Sequence, residues 1–172
     1  MFYKNRSFLP LHALKLIYNS LVDSYLRCGI TSWGTAAKYH KDKLQAFQNK
    51  IVKSIAWPRQ ELSTELYYKN LNLLNLESSF ILETDKLMHS IRYGYNPPAF
   101  DHLIPIASHA HATRHKQNAH FDLTRPRTEL GKKSIRYSGV KCWTSIPHDQ
   151  KNHLTHKSFV SSLKQHLISE YT

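Results

Sequence analysis

The sequence predicts a mainly α-helical fold: a helical bundle, then an irregular basic segment with minor β character, then a C-terminal helix. Apolar residues recur at i, i+3, i+4 and i+7 in several separate windows. Glycine and proline, which end helices, stand at the borders of those windows. Between about Asp101 and Pro147 the helical period disappears, and Pro, Gly, Ser, Thr, His and Arg dominate. The expected organisation is a helical domain over residues 10–100 and a basic segment with a C-terminal helix over 101–172.

The first helix is marked by Leu14, Ile17, Tyr18, Leu21, Val22, Tyr25 and Leu26. Pro10 suits its first turn, because a proline there loses no helical hydrogen bond. Gly29 suits its C-terminal stop, where a left-handed residue is needed. The stretch Ile30-Thr31-Ser32-Trp33-Gly34 reads as a bend in which the indole packs over the helix end. A second helix is expected from about Lys41 to Trp57, with Leu44, Phe47, Ile51 and Ile55 as its apolar stripe and Pro58 as its stop. At about 100° per residue, Lys43, Lys50 and Lys53 fall within about 80° of one another, forming a basic rail beside that stripe.

Thr64 to Leu74 reads as a short helix. A long one spans about Leu76 to Tyr93. Leu76, Phe80, Leu87 and Ile91 form its stripe, widened by Ile81 and Met88, while Glu77, Glu83 and Asp85 are expected to face water or a basic neighbour. Gly94 and Asn96-Pro97-Pro98 stop it. Short β-like runs are expected at His120–Leu123 and Ser134–Tyr137. Phe159, Leu163 and Leu167, with Val160 and Ile168 beside them, define the C-terminal helix from about Ser158.

Composition narrows the function. The 172 residues hold 24 Lys and Arg against 12 Asp and Glu, a formal net charge of +12. The excess is uneven: net +8 over residues 1–60, −3 over 61–101, +6 over 102–141 and +1 over 142–172. Two basic blocks flanking an acidic middle point to a polyanionic partner. Two cysteines, Cys28 and Cys142, make no disulfide framework, which fits a reducing, intracellular setting, nuclear or cytoplasmic. No apolar run approaches 18 residues, so no membrane span is expected, and the polar N-terminus does not read as a signal peptide.

Catalytic patterns are missing. No two acidic residues are adjacent, and none form D-x-D or D-x-x-D. Two-metal phosphoryl chemistry needs clustered carboxylates to hold cations about 4 Å apart. There is no phosphate-binding G-x-x-x-x-G-K-[ST] loop, no G-x-S-x-G and no H-E-x-x-H. His102, His109, His111, His115 and His120 crowd one segment, and His109, His111 and His115 could ligate a metal if Cys142 or another histidine joined them. With no paired cysteine motif, they read instead as loop histidines that add charge in acid. No metal and no cofactor are expected.

The second basic block interleaves cations with hydroxyls and an aromatic: Thr113-Arg114-His115, Thr124-Arg125-Pro126-Arg127-Thr128 and Gly131-Lys132-Lys133-Ser134-Ile135-Arg136-Tyr137. These are the groups that hydrogen-bond and neutralise phosphate. No base-reading element accompanies them, so the expected binding is sequence-independent and salt-sensitive.

The run Leu16-Ile17-Tyr18-Asn19-Ser20-Leu21-Val22-Asp23-Ser24-Tyr25-Leu26-Arg27-Cys28-Gly29-Ile30-Thr31-Ser32-Trp33-Gly34 resembles a segment of non-LTR (LINE-type, jockey-like) retrotransposon reverse transcriptases. There the segment comes after the polymerase palm and begins the thumb. Leu44 to Ile55 is similar to the next thumb helix. His111-Ala112-Thr113-Arg114, Arg125 to Gly139, Trp143 to Pro147 and the closing Phe159, Leu163, Lys164 helix resemble the region behind that thumb. The likeness runs from about Leu11 to Tyr171.

The resemblance implies a thumb-like bundle over 10–100 and a post-thumb segment over 101–172. It also implies a role in gripping a primer–template duplex, RNA or DNA, through its phosphates. The family's Y-x-D-D metal motif has no counterpart here, and neither do its endonuclease or its Cys-rich zinc knuckle. The expectation is therefore a non-catalytic fragment of an RNA-directed DNA polymerase. Lys43, Lys50 and Lys53 would track the backbone, and Arg114, Arg125, Arg127, Lys132, Lys133 and Arg136 would form a second phosphate contact. Trp33, Trp57 and Trp143 are expected to anchor packing. The alternative is an inert or protein-interacting helical remnant of the element with no nucleic-acid role.

Overall fold

The computed structural model describes residue 4 and residues 7–56, 63–100, 103–104, 121–123, 125–153 and 155–171. The fold is mainly helical, and among the described residues there is no strand. The described chain forms two compact units, residues 1–80 with 164–172 and residues 81–163. These units do not coincide with the change in sequence character near residue 100.

In the first unit, α1 (Leu11–Tyr18) is capped by extended Pro10 and runs through a π turn at Asn19–Asp23 into α2 (Ser24–Arg27). Around the π turn the Ser20 hydroxyl donates to the Leu16 carbonyl at 2.7 Å and the Ser24 hydroxyl donates to the Ser20 carbonyl, so side chains share carbonyls that the helix ladder uses. Gly29, at φ +62°, ends the run, and α3 (Ile30–Trp33) comes next. The Trp33 indole donates to the Cys28 carbonyl at 2.9 Å, so the indole sits at the helix end as its sequence position suggests.

The extra residue of the π turn rotates α2 relative to α1, and the expected stripe splits. Leu14, Tyr18 and Leu26 are buried, whereas Leu21 and Tyr25 lie exposed. α4 (Lys38–Ala56) starts earlier than its stripe suggests. α5 (Thr64–Leu71) is capped by the Ser63 hydroxyl and stopped by Asn72 at φ +52°, three residues short of the expected end. The first-unit core joins Leu14, Tyr18, Val52, Ile55, Tyr67, Tyr68, Leu71, Leu73 and Tyr171, and a smaller cluster joins Leu26, Ile30 and Leu76. Burial of each large apolar side chain contributes about 1.5–3 kcal/mol. Tyr171 ties the end of the chain to this core, with its hydroxyl donating to Ser78 Oγ and accepting from the Asn75 amide, both at 3.0 Å.

The long helix α6 (Leu76–Arg92) starts in the first unit, and its residues from 81 on supply buried Leu82, Met88 and Ile91 to the second. The later helices are α7 (Glu129–Lys132), α8 (Ile135–Ser145), α9 (His148–Lys151) and α10 (His156–Ser169). Phe121, Trp143 and Phe159 are buried, with Trp143 set edge-on to Phe121. Trp143 therefore packs as expected, while Trp57 and Pro58 lie outside the described residues.

A further expectation is corrected in the second unit. Ser134–Tyr137 is not β-like: Ser134 is the N-cap and Ile135–Tyr137 the first turn of α8. The helical period is hidden in the sequence because a glycine sits in the buried row. Gly139 packs closely there: a Cβ would stand 2.9 Å from Met88 Sδ, so the methionine side chain would have to shift. Of the two surroundings expected for Asp85, water or a basic neighbour, the structure gives the basic neighbour. Asp85 is fully buried on α6, with Lys151, itself buried, as the cation acting on it.

Candidate nucleic-acid interface

α4 places the first set of cations. Gln48, Val52 and Ile55 are its buried residues. Gln48 belongs inside because its amide has partners there: Nε2 donates to the Tyr18 hydroxyl at 2.7 Å and to the Leu74 carbonyl at 2.9 Å. Burial pushes the Tyr18 hydroxyl up to about 12, so it stays a neutral partner for that amide. Gln45 adds a second tie, accepting from the Leu76 amide at 2.9 Å and donating to Asn49 Oδ1 and the Tyr68 hydroxyl.

These polar anchors turn the helix away from its expected orientation. Leu44 and Phe47, expected in the buried stripe, are 37% and 57% exposed. Lys43, Lys50 and Lys53 are all exposed. At about 100° per residue they lie about 180° round the helix from Gln48, Val52 and Ile55. The rail therefore stands opposite the core instead of beside an apolar stripe.

Tyr39 shares the exposed face with the rail, and Phe47 borders it. The Lys43 ammonium sits 4.2 Å from the Tyr39 ring centroid, a cation–π contact that orients the lysine along the helix without neutralising it. Among the described residues, Lys43, Lys50 and Lys53 take part in no ion pair. Tyr39 and Phe47 join the lysines on this exposed face, which the sequence alone does not indicate. Their signal is present as Tyr39, Lys43, Phe47 and Lys50 at i, i+4, i+8 and i+11, but hydrophobicity alone sets the buried stripe one strip too far round.

The second basic set belongs to the other unit and is described by itself. Arg125, Arg127, Lys132, Lys133 and Arg136 are exposed. The Thr128 hydroxyl accepts from the Gly131 amide at 3.0 Å and caps α7. Gly131 permits a close approach, since a Cβ there would meet Pro126 Cβ at 2.6 Å. That contact holds Arg125-Pro126-Arg127 against α7, which carries Lys132. Lys132 is ion-paired with Glu129, a contact that lowers the carboxyl and raises the ammonium from their ordinary values. Lys132 thus has less charge to offer a phosphate than the other four. Arg114 and the histidines at 102–120 lie outside the described residues.

The second unit also buries polar groups that the sequence does not announce. Neither Asp85 carboxyl oxygen has a hydrogen-bond partner among the described residues, and burial holds the group well above the usual carboxylate range. His89 is buried, with Nε2 2.8 Å from the His153 carbonyl. A carbonyl only accepts, so Nε2 carries the proton and the buried, unpaired Nδ1 does not. Burial lowers this imidazole from its ordinary value, and its ring stacks on Phe159 with centroids 4.4 Å apart.

Among the described residues, no group of three His, Cys, Asp or Glu side chains is placed to hold a metal ion. No helix of the described residues is long and apolar enough to cross a membrane. Comparison with protein-family models, curated proteins and solved structures finds no match to this chain.

Proposed function

We propose that this chain is a non-catalytic nucleic-acid-binding module that grips the phosphate backbone of a primer–template duplex, in the manner of a reverse transcriptase thumb and the region behind it. The observation that carries the reading is the exposed face of α4. Three lysines outside any described ion pair lie within about 80° on the side away from the core, interleaved with exposed aromatics. Exposed lysines neutralise phosphates with release of counterions, whatever the base sequence. Arg125, Arg127, Lys133 and Arg136 supply further phosphate contacts, with Lys132 a weaker one.

The test is binding of the full chain to a blunt primer–template duplex at low salt. Parent protein should bind, and replacing Lys43, Lys50 and Lys53 together by Glu should abolish binding while circular dichroism stays unchanged, because all three side chains are exposed. A folded parent with no duplex affinity at low salt would select the inert or protein-interacting remnant instead.

A further inference from the structure

The first unit contains a cleft that the phosphate rail does not use. Its volume is about 450 Å³, within the range of about 300–1,000 Å³ typical of small-molecule sites. Ile30, Leu76 and Phe80 form its apolar lining, and Gly34 and Gln45 complete the wall. Gly34 has no room for a side chain: a Cβ would overlap the Phe80 ring and stand 2.6 Å from the Ile30 carbonyl oxygen. The ring is therefore held by backbone on one side. Gln45 is equally fixed, with both ends of its amide engaged.

The rim carries two kinds of charge. Lys38 and Lys41 are cations, and Asp42 and Glu77 are carboxylates, with Lys38, Asp42 and Glu77 exposed. Among the described residues these four form no ion pair, so both signs are available to a ligand. A ligand that suits this cleft has a flat apolar body, an anionic group, and donors that a carboxylate can accept.

We infer that the cleft takes a single unpaired nucleotide whose base carries an exocyclic amine, guanine foremost. Phe80 offers an aromatic ring to the base. Lys38 and Lys41 take the phosphate, and Asp42 or Glu77 accepts from the base N–H groups, which present two adjacent donors in guanine. Lys38 and Lys41 lie on the same helix as Lys43, Lys50 and Lys53, about 60° and 120° round from the nearest edge of the rail. A duplex gripped by the rail would place an unpaired end nucleotide in reach of this cleft. The inference rests on the reading of the chain as a nucleic-acid-binding module.

The experiment titrates the full chain with guanosine 5′-monophosphate, uridine 5′-monophosphate and guanosine, tracking amide shifts of Gln45, Glu77 and Phe80. Saturable binding of the guanine nucleotide is expected, at least about fivefold tighter than of the other two probes, a difference of about 1 kcal/mol. Lys38→Ala with Lys41→Ala should remove the preference over guanosine. Asp42→Asn with Glu77→Gln should remove the preference over the uridine nucleotide. Phe80→Leu, which keeps an apolar side chain, should weaken all three.

No saturable shift by about 5 mM, where even a weak site of millimolar affinity would fill, overturns the inference. So does binding that ignores all these variants, or tighter binding of a charged aromatic tripeptide, which would mark the cleft as a protein-docking site. Blunt-duplex binding is measured in the same variants. If it persists while the nucleotide fails, the cleft inference falls and the module reading stands. If the nucleotide binds and the duplex does not, the reverse holds.

Discussion

Replacing Lys43, Lys50 and Lys53 together by alanine should change how duplex binding depends on salt, by an amount set by the geometry. Each lysine seated on a duplex phosphate adds about 0.9 to the slope of log affinity against log salt, through counterion release. Three exposed lysines on one face make three such contacts, so their share is about 2.7. Over a fourfold rise in salt, from about 50 to 200 mM, that share weakens binding by about 40-fold. Fluorescence anisotropy with a labelled blunt duplex, repeated across this range, measures the slope directly. The alanine variant should give a line shallower by about two to three, and Lys50→Ala alone a line shallower by about 0.9. Lys133→Ala should flatten the line more than Lys132→Ala, because Lys132 is already paired with Glu129. Equal slopes in parent and triple variant would show that the α4 face meets no phosphate, and would refute the reasoning whatever the absolute affinity.

Gly34→Ala should destabilise the chain by about 1–3 kcal/mol in urea unfolding, because the added methyl overlaps Phe80 and the Ile30 carbonyl in a packed interior; a loss under about 0.5 kcal/mol would mean that Phe80 moves freely. Acid should destabilise the fold through His89: its lowered pKa keeps the native imidazole neutral while the unfolded one charges near 6.5, so stability is lost as pH falls below about 6.5, and His89→Gln should flatten that loss. Asp85 works in the opposite sense, since its raised pKa makes the native state take the proton first and gain stability as pH falls toward 3.8; Asp85→Asn should therefore steepen the acid loss, as read from urea midpoints across pH.

The helical class, most of the helix windows and the basic character of the two blocks were legible in the sequence. These depend on local chemistry: apolar spacing sets the period, and Gly29 ends its helix because a left-handed backbone angle suits glycine, whereas the stop at Asn72 was not read. The identity of the cations on α4 was also legible, because three lysines at fixed spacing share a face on any regular helix.

Which face of that helix turned inward was decided only by tertiary structure. Hydrophobicity favoured Leu44 and Phe47, but Gln48 found the Tyr18 hydroxyl and the Leu74 carbonyl and took the interior. The buried amide has both donors satisfied, while its Oε1 has no partner among the described residues, and no local pattern announces donor partners 30 and 26 residues away. α8 is hard to read locally because its buried row contains Gly139, whose fitness depends on Met88 across the packing. The sequence left Asp85 open between water and a basic neighbour, and only the packed helices bury it with Lys151 as the cation acting on it. The cleft at Phe80 likewise exists only because two segments far apart in sequence, Ile30 to Gln45 and Leu76 to Phe80, meet.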